Sequence, residues 1–307
     1  MASSEKLRGP RFELMVGEDA YPQLLREISD PPQRLYGVGN PQALAPGVAV
    51  IGARKATPYG LAAARRFAAH AAKRAAPIVS GGARGCDQEA HRAALKYGTP
   101  TVVVFGSGVD VVYPKSGFAL FQEVIDAGGA VISENPWGFP PQRHTFLRRN
   151  RIIAGLSALL VIAEAGLPSG TFSTADAALA ADRLVAAVPG SITSPYSKGA
   201  NQLIAQGAVP LIDEESLDLA IDSAFAHLPL SVMEPPVLDG SQAKWERLLE
   251  DDPLLAALAA EAYTPGELVA YFGFSASELG SRLSCYEIQG LVERGRDGRY
   301  QAVRGKL

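Results

Sequence analysis

With 307 residues, 47% of them hydrophobic and 20% charged, the chain has material for a large core and two domains, and it is neither disordered nor membrane-like in composition. No apolar run approaches the ~20 residues that span a bilayer, and residues 1–10 (MASSEKLRGP) hold no apolar signal core. The net charge of −3 is unevenly spread: residues 1–212 carry 21 Lys and Arg against 15 Asp and Glu, residues 213–253 carry 2 against 11, and residues 254–307 carry 6 against 6. Attraction for an anion therefore has to be local, in the first two thirds of the chain. Cys86 and Cys285 stand far apart with no ligand-like spacing. That predicts a reducing cytoplasm and argues against a disulfide framework or a zinc site.

In chain order, residues 21–40 give one helix-like turn that Asp30-Pro31-Pro32 stops, so residues 1–45 read as a small cap segment. From Val48 onward, short apolar runs alternate with Ala-rich amphipathic stretches. The predicted strands are 48–52, 77–81, 101–106, 130–134, 158–165, 183–190 and 208–212. The predicted helices include 59–75, 86–97, 118–127, 174–181 and 201–206. Strands that are apolar throughout and separated by helices predict a mostly parallel sheet covered on both faces, a doubly wound, Rossmann-like α/β domain over 46–226. Such sheets bind ligands at the carboxyl ends of their strands. An acidic, Pro-containing linker follows over 227–253. Residues 254–307 show three short helical patterns and then two β-like runs around Asp297-Gly298, a hairpin signal. That order suggests a small winged-helix-like domain, whose balanced charge leaves DNA and protein equally open as its partner.

The candidate site gathers at the strand ends. The first strand runs into Gly52, Arg54 and Lys55. The second runs into Ser80, Gly81, Gly82, Arg84 and Gly85. The fifth runs into EAGLPSGTFSTA (164–175). Glycines allow close backbone approach, and the helix that follows each turn offers free N–H groups to an anion. Between the fourth and fifth strands, Arg143, His144, Arg148, Arg149 and Arg151 crowd around Phe146 with no acid among them. Guanidiniums match phosphate in a bidentate, planar way, and an aromatic ring among them suits an unstacked base. The chain lacks GxGxxG after its first strand and lacks GxxxxGK[ST], so a dinucleotide or P-loop nucleotide is poorly supported. No catalytic constellation stands out: His91 reads as a packed helix residue, Asp87 as a helix-start residue satisfying backbone donors, and Asp110 and Tyr113 as turn residues.

The motifs SGGARGCDQEAH, FGSGVDVVYP, FLRRNRIIAGLS, EAGLPSGTFSTADAAL and AAVPGSI, in this order, resemble the DprA (Smf) family of DNA-processing proteins, over about residues 20–213. The resemblance implies an extended Rossmann fold that binds single-stranded DNA without sequence specificity and brings the RecA recombinase onto it during natural transformation. It also implies a homodimer formed through the Rossmann domain and, as in some members, a C-terminal winged helix. No metal or cofactor is implied. Carried onto matching positions, it implies that Arg54 holds a phosphate, that a base packs on Phe146, and that Arg143 is the basic partner one turn before it. Arg149, Asn150 and Arg151 would line the same pocket, with Gly52, Ser80, Gly81 and Gly82 supplying backbone donors and Arg84 adding charge. The chain departs from the family pattern at Gly82, where leucine is usual, at Cys86, where isoleucine is usual, and at Leu147, where proline is frequent. Two other readings compete: a nucleotide phosphoribohydrolase-like enzyme and a nucleotide-sensing Rossmann protein. The enzyme pattern PGGxGTxxE meets PSGTFSTA here, which keeps Gly170 and Thr171 but has Thr174 in place of the carboxylate.

Overall fold

The structure, a computed structural model, describes residues 6–226, 228, 249, 252–295 and 297–303. Among these, all seven predicted strands form, and they close into one nine-stranded sheet with two more that the sequence did not announce. The strands are β1 (Arg11–Met15), β2 (Arg34–Gly39), β3 (Gly47–Ile51), β4 (Ile78–Ser80), β5 (Thr101–Val104), β6 (Ala130–Ser133), β7 (Ser157–Ile162), β8 (Leu184–Ala187) and β9 (Val209–Pro210). Their spatial order is β1-β2-β6-β5-β4-β3-β7-β8-β9. Neighbours from β6 through β9 are parallel, while β2 joins β6, and β1 joins β2, antiparallel. The sheet is the mostly parallel, Rossmann-like one expected.

The helices of this unit are α1 (Gln23–Arg26), α2 (Pro58–Lys73), α3 (Cys86–Lys96), α4 (Phe118–Asp126), α5 (Arg143–Gly155), α6 (Thr171–Ala180), α7 (Lys198–Ala205) and α8 (Glu214–Ala224). Strand periodicity divides the core between the two faces. Ala49 and Ile51 of β3 pack in one layer with Ile152 and Ile153 of α5 and Ala175 and Ala178 of α6. Val48 and Val50 pack in the other with Ala64, Phe67 and Ala68 of α2, Ala90 and Ala94 of α3, and Leu217 and Ile221 of α8. Helix starts follow their side chains: Thr57 caps α2 ahead of Pro58, and Asp213 with Ser216 closes a capping box on α8.

The N-terminal residues differ from the cap expected over 1–45. β1 and β2 extend the sheet by two antiparallel strands, with β1 at its edge, so this segment is part of the same layer. β1 is buried only at Leu14 along its length, too little to show as an apolar run. Gly37 of β2 leaves room for the Phe12 ring, whose Cζ would lie 2.1 Å from a Cβ there.

The chain divides into Met1–Pro236 and Val237–Leu307. The expected linker over 227–253 falls almost entirely outside the described residues. The second unit contains α9 (Pro253–Ala260), α10 (Pro265–Phe272), α11 (Ala276–Ile288) and an antiparallel pair, β10 (Val292–Arg294) with β11 (Tyr300–Ala302). Leu254, Leu258, Leu268, Leu279, Leu283 and Val292 form its core. The three arginines among its described residues are engaged within the unit. Arg299 pairs with Glu267 at 3.1 Å, and the guanidiniums of Arg282 and Arg294 lie 4.8 and 5.6 Å from the ring centroids of Phe274 and Tyr300. No helix among the described residues is long and apolar enough to cross a membrane.

Candidate nucleic-acid interface

The carboxyl ends of β3, β4 and β7 open into a cavity of about 900 Å³. One wall is the turn after β3. Gly52 lies against Cys86, whose Sγ would be 2.6 Å from a Cβ at that position, so a side chain at 52 does not fit. Burial pushes the Cys86 thiol up to about 12, which leaves it a neutral packing group. Arg54 and Lys55 follow, exposed and lining the cavity, before Thr57 starts α2. Buried Glu164, at the end of β7, accepts the Thr57 N–H at 2.8 Å and so ties the β3 and β7 turns together.

The facing wall is the first half of α5. Arg143, Phe146, Leu147 and Asn150, an i, i+3, i+4, i+7 set, all line the cavity, with His144 beside them. Phe146 rests on Gly106, where a Cβ would come within 2.8 Å of its Cδ1. Tyr113 supports the ring from the side, with centroids 5.3 Å apart and planes 43° from parallel. The Arg54 guanidinium stands 5.9 Å from the Phe146 centroid, so the two residues belong to one site. Arg54, Lys55 and Arg143 make no salt bridge among the described residues.

Several expected ligands lie elsewhere. Arg151 points away from the cavity and pairs with Glu134 at 2.8 Å and Asp30 at 2.9 Å, and Arg148 reaches Glu134 at 3.4 Å. The acids missing from the local sequence are supplied by β6 and the N-terminal segment, so half of the arginine cluster is structural. Arg84 is exposed but off the cavity wall, with its Nε donating to Ser116 Oγ at 3.2 Å. Ser80 is buried and donates its hydroxyl to the Val50 carbonyl at 2.6 Å. Neither it nor Gly81 or Gly82 lines the cavity. The backbone donors expected there serve the interior: the N–H groups of Gly81 and Ala83 bond the Asp87 carboxylate. Gly82 takes φ +67°, which accounts for glycine where the family has leucine.

Arg149 reaches the cavity, but only as its floor. It is 4% exposed, donates Nη1 to the Val104 carbonyl at 2.7 Å, and lies where any Cβ on Gly81 would meet it at 1.9 Å. Burial lowers its pKa to about 10, opposed by the Asp87 charge. Burial likewise raises Asp87, opposed first by Arg149. Each is the other's main counter-charge, and Asp87 is the sole acid among the lining residues. His91, one turn further along α3, donates or accepts at Thr101 Oγ1 (2.8 Å), and burial depresses its pKa to about 3, so it is a neutral core residue.

The remaining wall comes from the β7 turn and the loop after β8: Ser169, Gly170, Thr171, Thr174 and Tyr196. Asn150 bridges to it through Ser173, at 2.8 Å. Lys55 was named at the end of the first strand without an assigned role, and Tyr113 and Tyr196 were not among the site residues expected from sequence. Lys55 follows directly on Arg54, and Tyr113 lies in the FGSGVDVVYP motif, so both carried a signal. Tyr196 sits in a polar loop with none.

The rim is thus cationic, the interior offers an aromatic ring beside an arginine, and the floor charge is internally balanced. This arrangement suits a phosphate chain with an unstacked base. Comparison with known proteins agrees. The family described as DNA recombination-mediator protein A matches residues 13–220. Protein Smf of Synechocystis sp. is 33% identical over 325 aligned residues, covering 96% of this chain and 80% of that protein. The X-ray structure of DNA processing protein A from Streptococcus pneumoniae superposes with a TM-score of 0.64 at 38% identity, covering 69% of this chain and 74% of the other. DNA processing protein A from Helicobacter pylori, a structure described for its single-stranded DNA binding mode, also gives 0.64, at 31% identity, covering 71% of this chain and 99% of the other. With the sheet order, the strand-end motifs and this match in agreement, the chain belongs to the DNA recombination-mediator protein A family.

Proposed function

We propose that the chain is a non-catalytic binder of single-stranded DNA, independent of sequence, which holds the strand in the cavity above β3, β4 and β7. The observation that carries this reading is the contact of Arg54 with Phe146 inside a cationic, open-ended cavity. Arg54, Lys55 and Arg143 take phosphates, Phe146 takes a base, and Gly52 allows the backbone to approach. Arg149 and Asp87 shape the floor. Thr174 stands where a hydrolytic carboxylate would be needed and Asp87 is buried against Arg149, which disfavours a phosphoribohydrolase. The likeness to the two DNA processing protein A structures supports extending a DNA-processing role to this chain.

Beyond DNA binding, the family resemblance supports a role in handing the strand to the RecA recombinase in the cytoplasm during DNA uptake, with the protein acting as a homodimer through its Rossmann unit. The three helices and hairpin of the second unit support a winged helix. Its described arginines, Arg282, Arg294 and Arg299, are engaged internally, which supports a protein rather than duplex DNA as its partner.

Titration with oligo-dT and with mononucleotides tests the reading: tight, salt-dependent binding of the oligomer with weak binding of mononucleotides is expected, and the reverse preference would indicate a nucleotide sensor. Phe146→Ala is expected to cost about 1–3 kcal/mol of oligo-dT affinity through lost stacking, with its salt dependence nearly unchanged. Fluorescence anisotropy at several salt concentrations measures both.

A further inference from the structure

Tyr196 is an aromatic side chain that the site as described does not use. It is 51% exposed, yet it lines the same cavity as Phe146. Its backbone is held on the carboxyl end of β7: the N–H groups of Gly199 and Ala200 both donate to the Ala165 carbonyl, at 2.8 and 3.1 Å. Gly199 packs so closely that a Cβ there would lie 2.5 Å from the Gly166 carbonyl oxygen. The loop is closed at its start by Asn201, which bonds both the N–H and the carbonyl of Gly190, at 3.1 and 2.9 Å. A half-exposed ring on an anchored loop is a preorganised contact surface, since little backbone freedom remains to be lost on binding.

The placement of the two rings matters. Phe146 sits against Gly106, just beyond β5, and Tyr196 sits beside Gly166, beyond β7. In sheet order β4 and β3 intervene. Three strand spacings separate the two positions by about 14 Å, too far for one base to touch both rings. Between them lies Arg54 at the end of β3, and no acid other than the internally balanced Asp87 lines the path.

We propose that Tyr196 is a second base-stacking platform, which takes a different nucleotide of the same single strand whose base packs on Phe146. The inference rests on the single-stranded DNA reading of the cavity. It makes the cavity a site for several consecutive nucleotides, with a phosphate held at Arg54 between two rings. Stacking on tyrosine tolerates every base, so the second platform adds affinity without adding sequence preference.

The test compares long oligo-dT with an abasic strand of the same length, using the full chain and the variants Tyr196→Ala, Tyr196→Phe and Phe146→Ala. Tyr196→Ala should weaken oligo-dT binding by about fivefold or more and leave the abasic strand unaffected, because only the base contact is lost. Tyr196→Phe should restore binding, since it keeps the ring. Unchanged oligo-dT binding by Tyr196→Ala, with Phe146→Ala impaired, overturns the second platform and leaves the first standing. Equal weakening on both strands also overturns it, because the residue then acts by shaping the loop. If neither variant differs from the unmodified protein, the cavity reading itself fails along with the platform.

Discussion

Asp87→Ala is expected to destabilise the Rossmann unit by about 1–3 kcal/mol, the cost of removing the acceptor of a buried N–H together with the main counter-charge of the buried Arg149. The Arg149 guanidinium would keep a single hydrogen bond, to the Val104 carbonyl, in a position that Gly81 leaves no room to vary. The N–H groups of Gly81 and Ala83 would lose their acceptor at the same time. Asp87→Asn keeps an oxygen for those donors and is expected to cost less. Combining Asp87→Ala with Arg149→Met removes both charges and should recover part of the loss, because a buried pair replaced as a whole is often close to neutral. Urea unfolding of the three variants measures these differences. A loss below about 1 kcal/mol for Asp87→Ala would mean that Arg149 finds compensation elsewhere.

Arg54→Ala is expected to weaken oligo-dT binding by about ten- to a hundredfold, from the loss of one charge-assisted contact of about 1.5–3 kcal/mol. The slope of log affinity against log salt should flatten by about 0.7, the value for one phosphate contact on a single strand. Arg54→Lys should recover the slope and only part of the affinity, since a point charge replaces a bidentate fork. Stability should hardly change, because Arg54 is exposed and makes no salt bridge among the described residues. The pattern differs from that of Phe146→Ala, which loses affinity and keeps its slope. Because the two side chains face each other at 5.9 Å, the double variant is not expected to be additive.

The parallel part of the sheet was legible in the sequence because β3 through β8 are short, mainly apolar runs, buried on both faces. β1 and β2 were not: β1 is an edge strand buried at one position, which carries no periodic signal, and the antiparallel pairing of β2 with β1 and β6 is set by tertiary contacts. That Gly52, Arg54, Arg143, Phe146 and Asn150 share one cavity wall was legible, because strand ends and helix periodicity together dictate direction. The arginine cluster misled at Arg148 and Arg151 because their acids, Asp30 and Glu134, come from segments remote in sequence. Arg149 lines the cavity but is buried: nothing local says that Gly81 and Asp87 draw that guanidinium under the floor. Ser80, Gly81 and Gly82 follow the same logic, since small residues at a strand end serve a ligand or the interior equally well until the fold assigns them.

Where the DNA lies is tested most directly by ultraviolet crosslinking of halogenated oligo-dT to the full chain, followed by identification of the attached residues. An aromatic ring against a base is the favoured acceptor, so crosslinks are expected at Phe146 or its neighbour Tyr113, and they should be displaced by unlabelled oligo-dT. Crosslinks confined to the second unit, within residues 252–303, would contradict a binding cavity at the carboxyl ends of β3, β4 and β7.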